Sequence, residues 1–175
     1  MRSRRQHDLR LFGKWSCYTL ALLLAAVLQT TPGFLTVAGA KPVFILPLCL
    51  AVAVYEGEFR GALFGALGGL LWDYTAGRVA GLLALALLIV CFFASVLVQL
   101  FLRVNHMNFI LISGVCCLLV TGIDFVSNYW MRGYSGAGWY YFTVVMPTAI
   151  FTSAAAPLSF LLARRIFRAF VDPET

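Results

Sequence analysis

GALFGALGGLLWDYTAGRVAG, residues 61–81, is the stretch on which the fold turns. It is apolar enough to sit in hydrocarbon, yet it carries glycines at 61, 65, 68, 69, 77 and 81 and a lone carboxylate, Asp73. A helical glycine costs about 1 kcal/mol relative to alanine, and an aspartate deep in a bilayer about 3 kcal/mol. Both costs are offset if the segment packs closely against another helix. In lipid, water cannot drive apolar faces together, and close backbone approach through small residues takes its place. Gly61-x-x-x-Gly65 and Gly65-x-x-x-Gly69 put small residues four apart on one side of a helix. At about 100° per residue, Gly65, Gly69, Asp73 and Gly77 stay within an arc of about 120°. Asp73 therefore belongs to the packing face, where a neighbour can shelter it. That neighbour is either another helix of the same bundle or a partner chain.

Composition agrees with a membrane setting. Of 175 residues, 62% are hydrophobic and 11% charged, whereas a soluble domain carries roughly 25% charged residues to wet its surface. The expected fold is all-α and polytopic, a compact bundle of about six transmembrane helices forming one domain over residues 1–175. The net charge of +6 comes from short basic clusters between apolar runs, not from one face with interleaved aromatics. Nucleic-acid binding is not expected. The five cysteines, Cys17, Cys49, Cys91, Cys116 and Cys117, lie inside apolar runs with no CxxC pair, and neither His7 nor His106 has a partner at ligand spacing. They read as small buried hydrophobes, and no metal or cofactor is expected.

Two features near the N-terminus imitate targeting signals. Ser3-Arg4-Arg5 resembles the start of a twin-arginine signal, but Gln6, His7 and Asp8 follow where such signals are apolar. Ala38-Gly39-Ala40 has the small-x-small look of a cleavage site but lies about a dozen residues past the apolar stretch, too far for a usual signal peptide. The first span is expected to be retained.

The six expected spans cover residues 15–32, 42–55, 61–77, 81–102, 108–129 and 139–163. The second, with Pro42 at its start and Pro47 within, reaches only about 21 Å against a hydrocarbon core of about 30 Å. It must thin the membrane or lean on its neighbours. With both termini cytoplasmic, Arg2, Arg4, Arg5, Arg10, Lys14, Arg60, Arg103, Arg164, Arg165 and Arg168 lie inside, and Lys41, Arg78 and Arg132 outside. That excess follows the positive-inside tendency. Trp15, Trp72, Trp130 and Trp139 fall near span ends, as interfacial belts would place them.

In that topology Asp73 and Asp124 both lie in the outer half of the membrane. Intramembrane carboxylates pair, cap helices or mark a ligand site, and all three roles remain open for these two. No Ser/His/Asp set, HExxH or paired-carboxylate motif is present in the chain, so no enzyme is expected.

The run from Lys41 to Gln99 resembles the rod shape-determining protein MreD family. Lys41-Pro42, Tyr55, Gly61, Gly65, Gly69-Leu70, Asp73, Gly77 and Gly81 fill the places of that family's Lys-Pro opening, Tyr-containing turn, glycine helix ending in Asp, and following Gly-x-x-Gly/Ala. The resemblance implies a multi-pass protein of the bacterial cytoplasmic (inner) membrane with no chemistry of its own. It implies an adaptor of the cell-wall elongation complex that binds MreC and, through it, works with MreB, RodA and a class B penicillin-binding transpeptidase. Gly61, Gly65, Gly69, Gly77 and Gly81 would form the packing or partner face, and Asp73 and Asp124 an intramembrane polar site. The family is also similar in fold to the substrate-binding S components of energy-coupling-factor vitamin transporters. That kinship supplies the alternative: a vitamin site lined by Asp73, Asp124, Trp72, Asn128 and Trp130.

Overall fold

The computed structural model describes residues 2–31, 33, 40–77, 81–101, 105–131 and 137–170. These form helices and no strand. In order they are α1 (Arg2–Thr30), α2 (Ile45–Glu56), α3 (Glu58–Ala76), α4 (Leu82–Phe101), α5 (His106–Phe125), α6 (Ala137–Tyr140) and α7 (Met146–Phe170). Two π-helical segments join the set: Val126–Trp130 continues α5, and Tyr141–Val145 connects α6 to α7. The described residues thus make six helical rods. Arg78, Arg103, Arg132, the Ala38-Gly39 pair and most of residues 33–41 and 131–138 lie outside the described residues.

Four of the rods are long and apolar enough to cross a bilayer: Arg10–Thr30, Leu82–Leu100, Met107–Asn128 and Tyr141–Phe170. The other two differ for separate reasons. α3 has 19 residues, but four are glycine and three, Glu58, Arg60 and Asp73, are charged. α2 has only 12 and stands at the centre of the bundle, in contact with α1, α3, α4, α5 and α7. Every residue from Ile45 to Ala53 is buried. A helix that is apolar on all sides belongs inside a bundle, and α2 leans on its neighbours instead of facing lipid.

The short helix has its first amides satisfied from elsewhere. Gln29 Oε1 on α1 accepts hydrogen bonds from the Phe44 and Ile45 amides, at 3.2 and 3.3 Å, and Thr152 Oγ1 on α7 accepts one from the Val43 amide at 2.9 Å. Buried backbone donors need such partners, which are supplied here by side chains distant in sequence. α2 passes to α3 through Gly57 alone, at φ 91°, a conformation open to glycine.

The π-helical segment before α7 has a local cause. Pro147 has no amide hydrogen, and its ring would crowd the carbonyl four residues back, that of Thr143. A widened turn over Tyr141–Val145 accommodates this.

At the end of the bundle holding Arg2 and Phe170, here termed proximal, the structure buries a charge that the sequence suggests is wetted. Lys14 is 8% exposed, and its Nζ lies 2.7 Å from Glu56 Oε2. Tyr18, one turn along α1, donates to Glu56 Oε1 at 3.1 Å. Lys14 Nζ also sits 5.6 Å from the centroid of the Phe167 ring. The cluster ties α1, α2 and α7 together.

Candidate functional site

The glycines of α3 divide into two sets facing two helices. A Cβ at Gly61 would overlap Ala53 Cα, and one at Gly68 would overlap Cys49 Sγ, so this pair meets α2. A Cβ at Gly65 would lie 2.8 Å from Cys91 Sγ and 3.0 Å from the Leu87 carbonyl oxygen. At Gly69 it would lie 2.6 Å from both the Ala84 nitrogen and the Leu83 oxygen. Gly65 and Gly69 therefore meet the α4 backbone. At about 100° per residue, Gly61 and Gly68 fall in one narrow sector and Gly65, Gly69 and Asp73 in the next. The stripe read from the sequence is two adjoining faces, wedged between α2 and α4.

Gly77 and Gly81 serve a different purpose. A Cβ at either would meet nothing within 4 Å, so neither packs closely. Both have positive φ, 62° and 106°. Gly77 is the left-handed C-cap of α3, and its amide bonds back to the carbonyls of Asp73 and Tyr74. The turn, not a helix face, requires these two glycines.

Asp73 is 1% exposed and stays with its own turn. Its Oδ2 accepts the Gly81 amide at 2.8 Å and the Ala84 amide at 3.4 Å, while Oδ1 accepts the Leu83 amide at 3.4 Å. A carboxylate delivered from the end of α3 thus satisfies the orphan amides at the start of α4. It also faces the positive end of that helix's dipole. This compensates the intramembrane aspartate of residues 61–81: close α3–α4 approach brings Asp73 to donors that no water could supply.

Asp124 sits apart from Asp73. Its carboxylate Oδ1 accepts a hydrogen bond from Asn128 Nδ2 at 3.0 Å. It lines a cavity of about 420 Å³ at the distal end of the bundle, remote from Arg2 and Phe170, together with Lys41, Gln29, Trp72, Thr121 and Thr148. One cation, one anion, an amide, hydroxyls and an indole line this one space. Thr121 returns its own proton to the Cys117 carbonyl at 2.6 Å, so its oxygen remains an acceptor. The size falls within the roughly 300–1,000 Å³ of small-ligand sites.

Of the five residues of the alternative vitamin site, the structure brings Trp72 and Asp124 to this cavity. Asp73 is committed to α4, Asn128 supports Asp124, and Trp130 lines a separate apolar groove. Trp72 is buried, so it is no interfacial anchor, whereas Trp130 and Trp139 are exposed. Gln29, Thr121 and Thr148 are additions that sequence reading missed, because single polar residues near span ends carry no shared spacing. Glu56 was missed for a similar reason: its partners Lys14 and Tyr18 are 42 and 38 positions away.

All five cysteines are unbridged, with four of them buried. Among the described residues no cluster of three or more His, Cys, Asp or Glu side chains could hold a metal ion.

A family profile for the rod shape-determining protein MreD matches residues 9–168 of the 175. No curated protein and no solved structure matches the chain. The match runs through the glycine helix, the Asp73 cap, the buried Lys14–Glu56 pair and the distal cavity, and the apolar helices make this a membrane protein. The chain belongs to the rod shape-determining protein MreD family.

Proposed function

We propose that this chain is a non-catalytic adaptor of the bacterial cell-wall elongation complex, set in the inner membrane with both termini cytoplasmic. It binds MreC there and acts through it with MreB, RodA and a class B penicillin-binding transpeptidase. The observation that carries this reading is the family match over residues 9–168. The packing is compatible with a rigid scaffold, since α2, α3 and α4 are locked at glycine contacts and by the Asp73 cap. Basic residues at the proximal end, among them Arg10, Arg60, Arg164, Arg165 and Arg168, support a cytoplasmic location for that end.

Depletion in the rod-shaped host tests the role: cells should round or swell, and the solubilised protein should recover MreC. Normal shape after clean depletion refutes it. Cysteine labelling at positions 135 and 175 tests the topology, with the first accessible from outside and the second only from inside.

A second reading draws on the distal cavity. Its converging polar groups are more numerous than the apolar sequence suggests and would suit a small-molecule binder related to transporter S components. Loss of uptake of one vitamin on depletion, with normal cell shape, would favour it.

A further inference from the structure

The distal cavity has a neighbour of opposite character. An apolar groove of about 670 Å³ runs along α5 and the segment leading to α7, lined by Leu118, Gly122, Ile123, Trp130 and Phe142 among others. Ile123, Trp130 and Phe142 are exposed, so in a bilayer the groove faces hydrocarbon. Phe125 lines both spaces. Its ring meets that of Tyr141 edge-on, with centroids 5.3 Å apart and planes at 65°. This ring pair stands between the polar cavity and the lipid-facing groove. Phe125 directly precedes the π-helical segment Val126–Trp130, and Tyr141 opens the other, Tyr141–Val145. Widened turns of this kind concentrate at functional sites, where a helix must give.

We propose that the distal end holds one zwitterionic phospholipid, with its headgroup in the polar cavity and an acyl chain in the groove, the Phe125–Tyr141 pair being the partition it passes. The bilayer always supplies chains to an apolar groove that opens on hydrocarbon. What such a chain carries then lies beside the cavity. Lys41 and Asp124 place opposite charges on that cavity, matching a phosphate and an ammonium respectively. A purely anionic headgroup would gain the lysine but meet the aspartate. Asn128 orients the Asp124 carboxylate, and hydroxyls of Thr121 and Thr148 offer further polar contacts. The proposal does not depend on MreC. If the termini are cytoplasmic, the lipid belongs to the outer leaflet.

The test is native mass spectrometry of the delipidated full chain in detergent, titrated with phosphatidylethanolamine or phosphatidylglycerol of matched chains. Wild type should retain the zwitterionic lipid about fivefold better, the size of one partly screened ion pair. Asp124→Asn, which keeps shape, should erase that preference while leaving thermal stability in place. Gly122→Leu fills the groove where the glycine has open space, and should lower retention of both lipids together. Equal retention by wild type and Asp124→Asn, or unchanged retention in Gly122→Leu, overturns the proposal. So does competition by soluble phosphoethanolamine as strong as by the intact lipid, which would assign the cavity to a free small molecule.

Discussion

Gly69 and Gly122 are both helical glycines in apolar runs, and their surroundings are opposites. A Cβ at Gly69 would strike the backbone of α4 at 2.6 Å, whereas one at Gly122 would meet nothing within 4 Å. At Gly69, α3 and α4 touch backbone to backbone, and the nearby Asp73 carboxylate has three amide partners. Around Gly122, α5 and the chain at Gly138–Phe142 border an apolar groove, with the polar cavity on the other side of Phe125 and π-helical segments beside both. The same residue type thus marks a clamp in one half of the bundle and an opening in the other. Small residues permit close approach, but only a neighbour at that depth turns the permission into contact. The rigid half suits a scaffold, and the open half is where a ligand or lipid has room.

The strongest way to break this contrast is to overfill the clamp. Gly69→Leu forces a side chain into the α4 backbone, which cannot move as a flexible side chain would. The expected cost is about 3 kcal/mol, the upper end for overpacking, seen as lost folded yield in detergent. Wild-type yield would mean that α3 and α4 are not in close contact.

The proximal ion pair gives an effect of comparable size with a distinct signature. Lys14→Met alone leaves the Glu56 carboxylate buried with only Tyr18, and should destabilise by about 3 kcal/mol. Adding Glu56→Gln removes the stranded charge and should recover part of the loss. Thermal melts of the two singles and the double form the cycle. Strictly additive losses would show that the pair is not coupled.

Asp73 sharpens the comparison further. Asp73→Leu orphans three amides at the start of α4 and should cost about 2 kcal/mol. Asp73→Asn keeps a capping oxygen and should cost under about 1 kcal/mol. Equal losses would point to an ion pair in place of the cap.

The smallest effect is expected at the open end. Gly122→Ala adds a methyl where there is space and lies within about 0.5 kcal/mol of wild type by thermal melt. A large loss there would mean that the groove is closed in the membrane.

The all-α membrane class was legible in the sequence because apolar runs near 20 residues and a shortage of charge are local properties that no tertiary contact can undo. The family motif was legible for the same reason: Lys41-Pro42 and the spacing from Gly61 to Gly81 are written along one segment. The presence of a packing face on α3 also followed from helical periodicity alone. Which glycine meets which helix did not, since Gly61 and Gly65 are equivalent until α2 and α4 are placed on either side. Periodicity likewise could not tell the turn glycines, Gly77 and Gly81, from the packing ones, because φ is set by the chain reversal. The burial of α2, the role of Asp73 as a cap for the next helix and the Lys14–Glu56 pair each depend on which groups lie opposite across the bundle. Hydrogen bonds and ion pairs act over about 3 Å, and only tertiary structure decides which distant residues come that close.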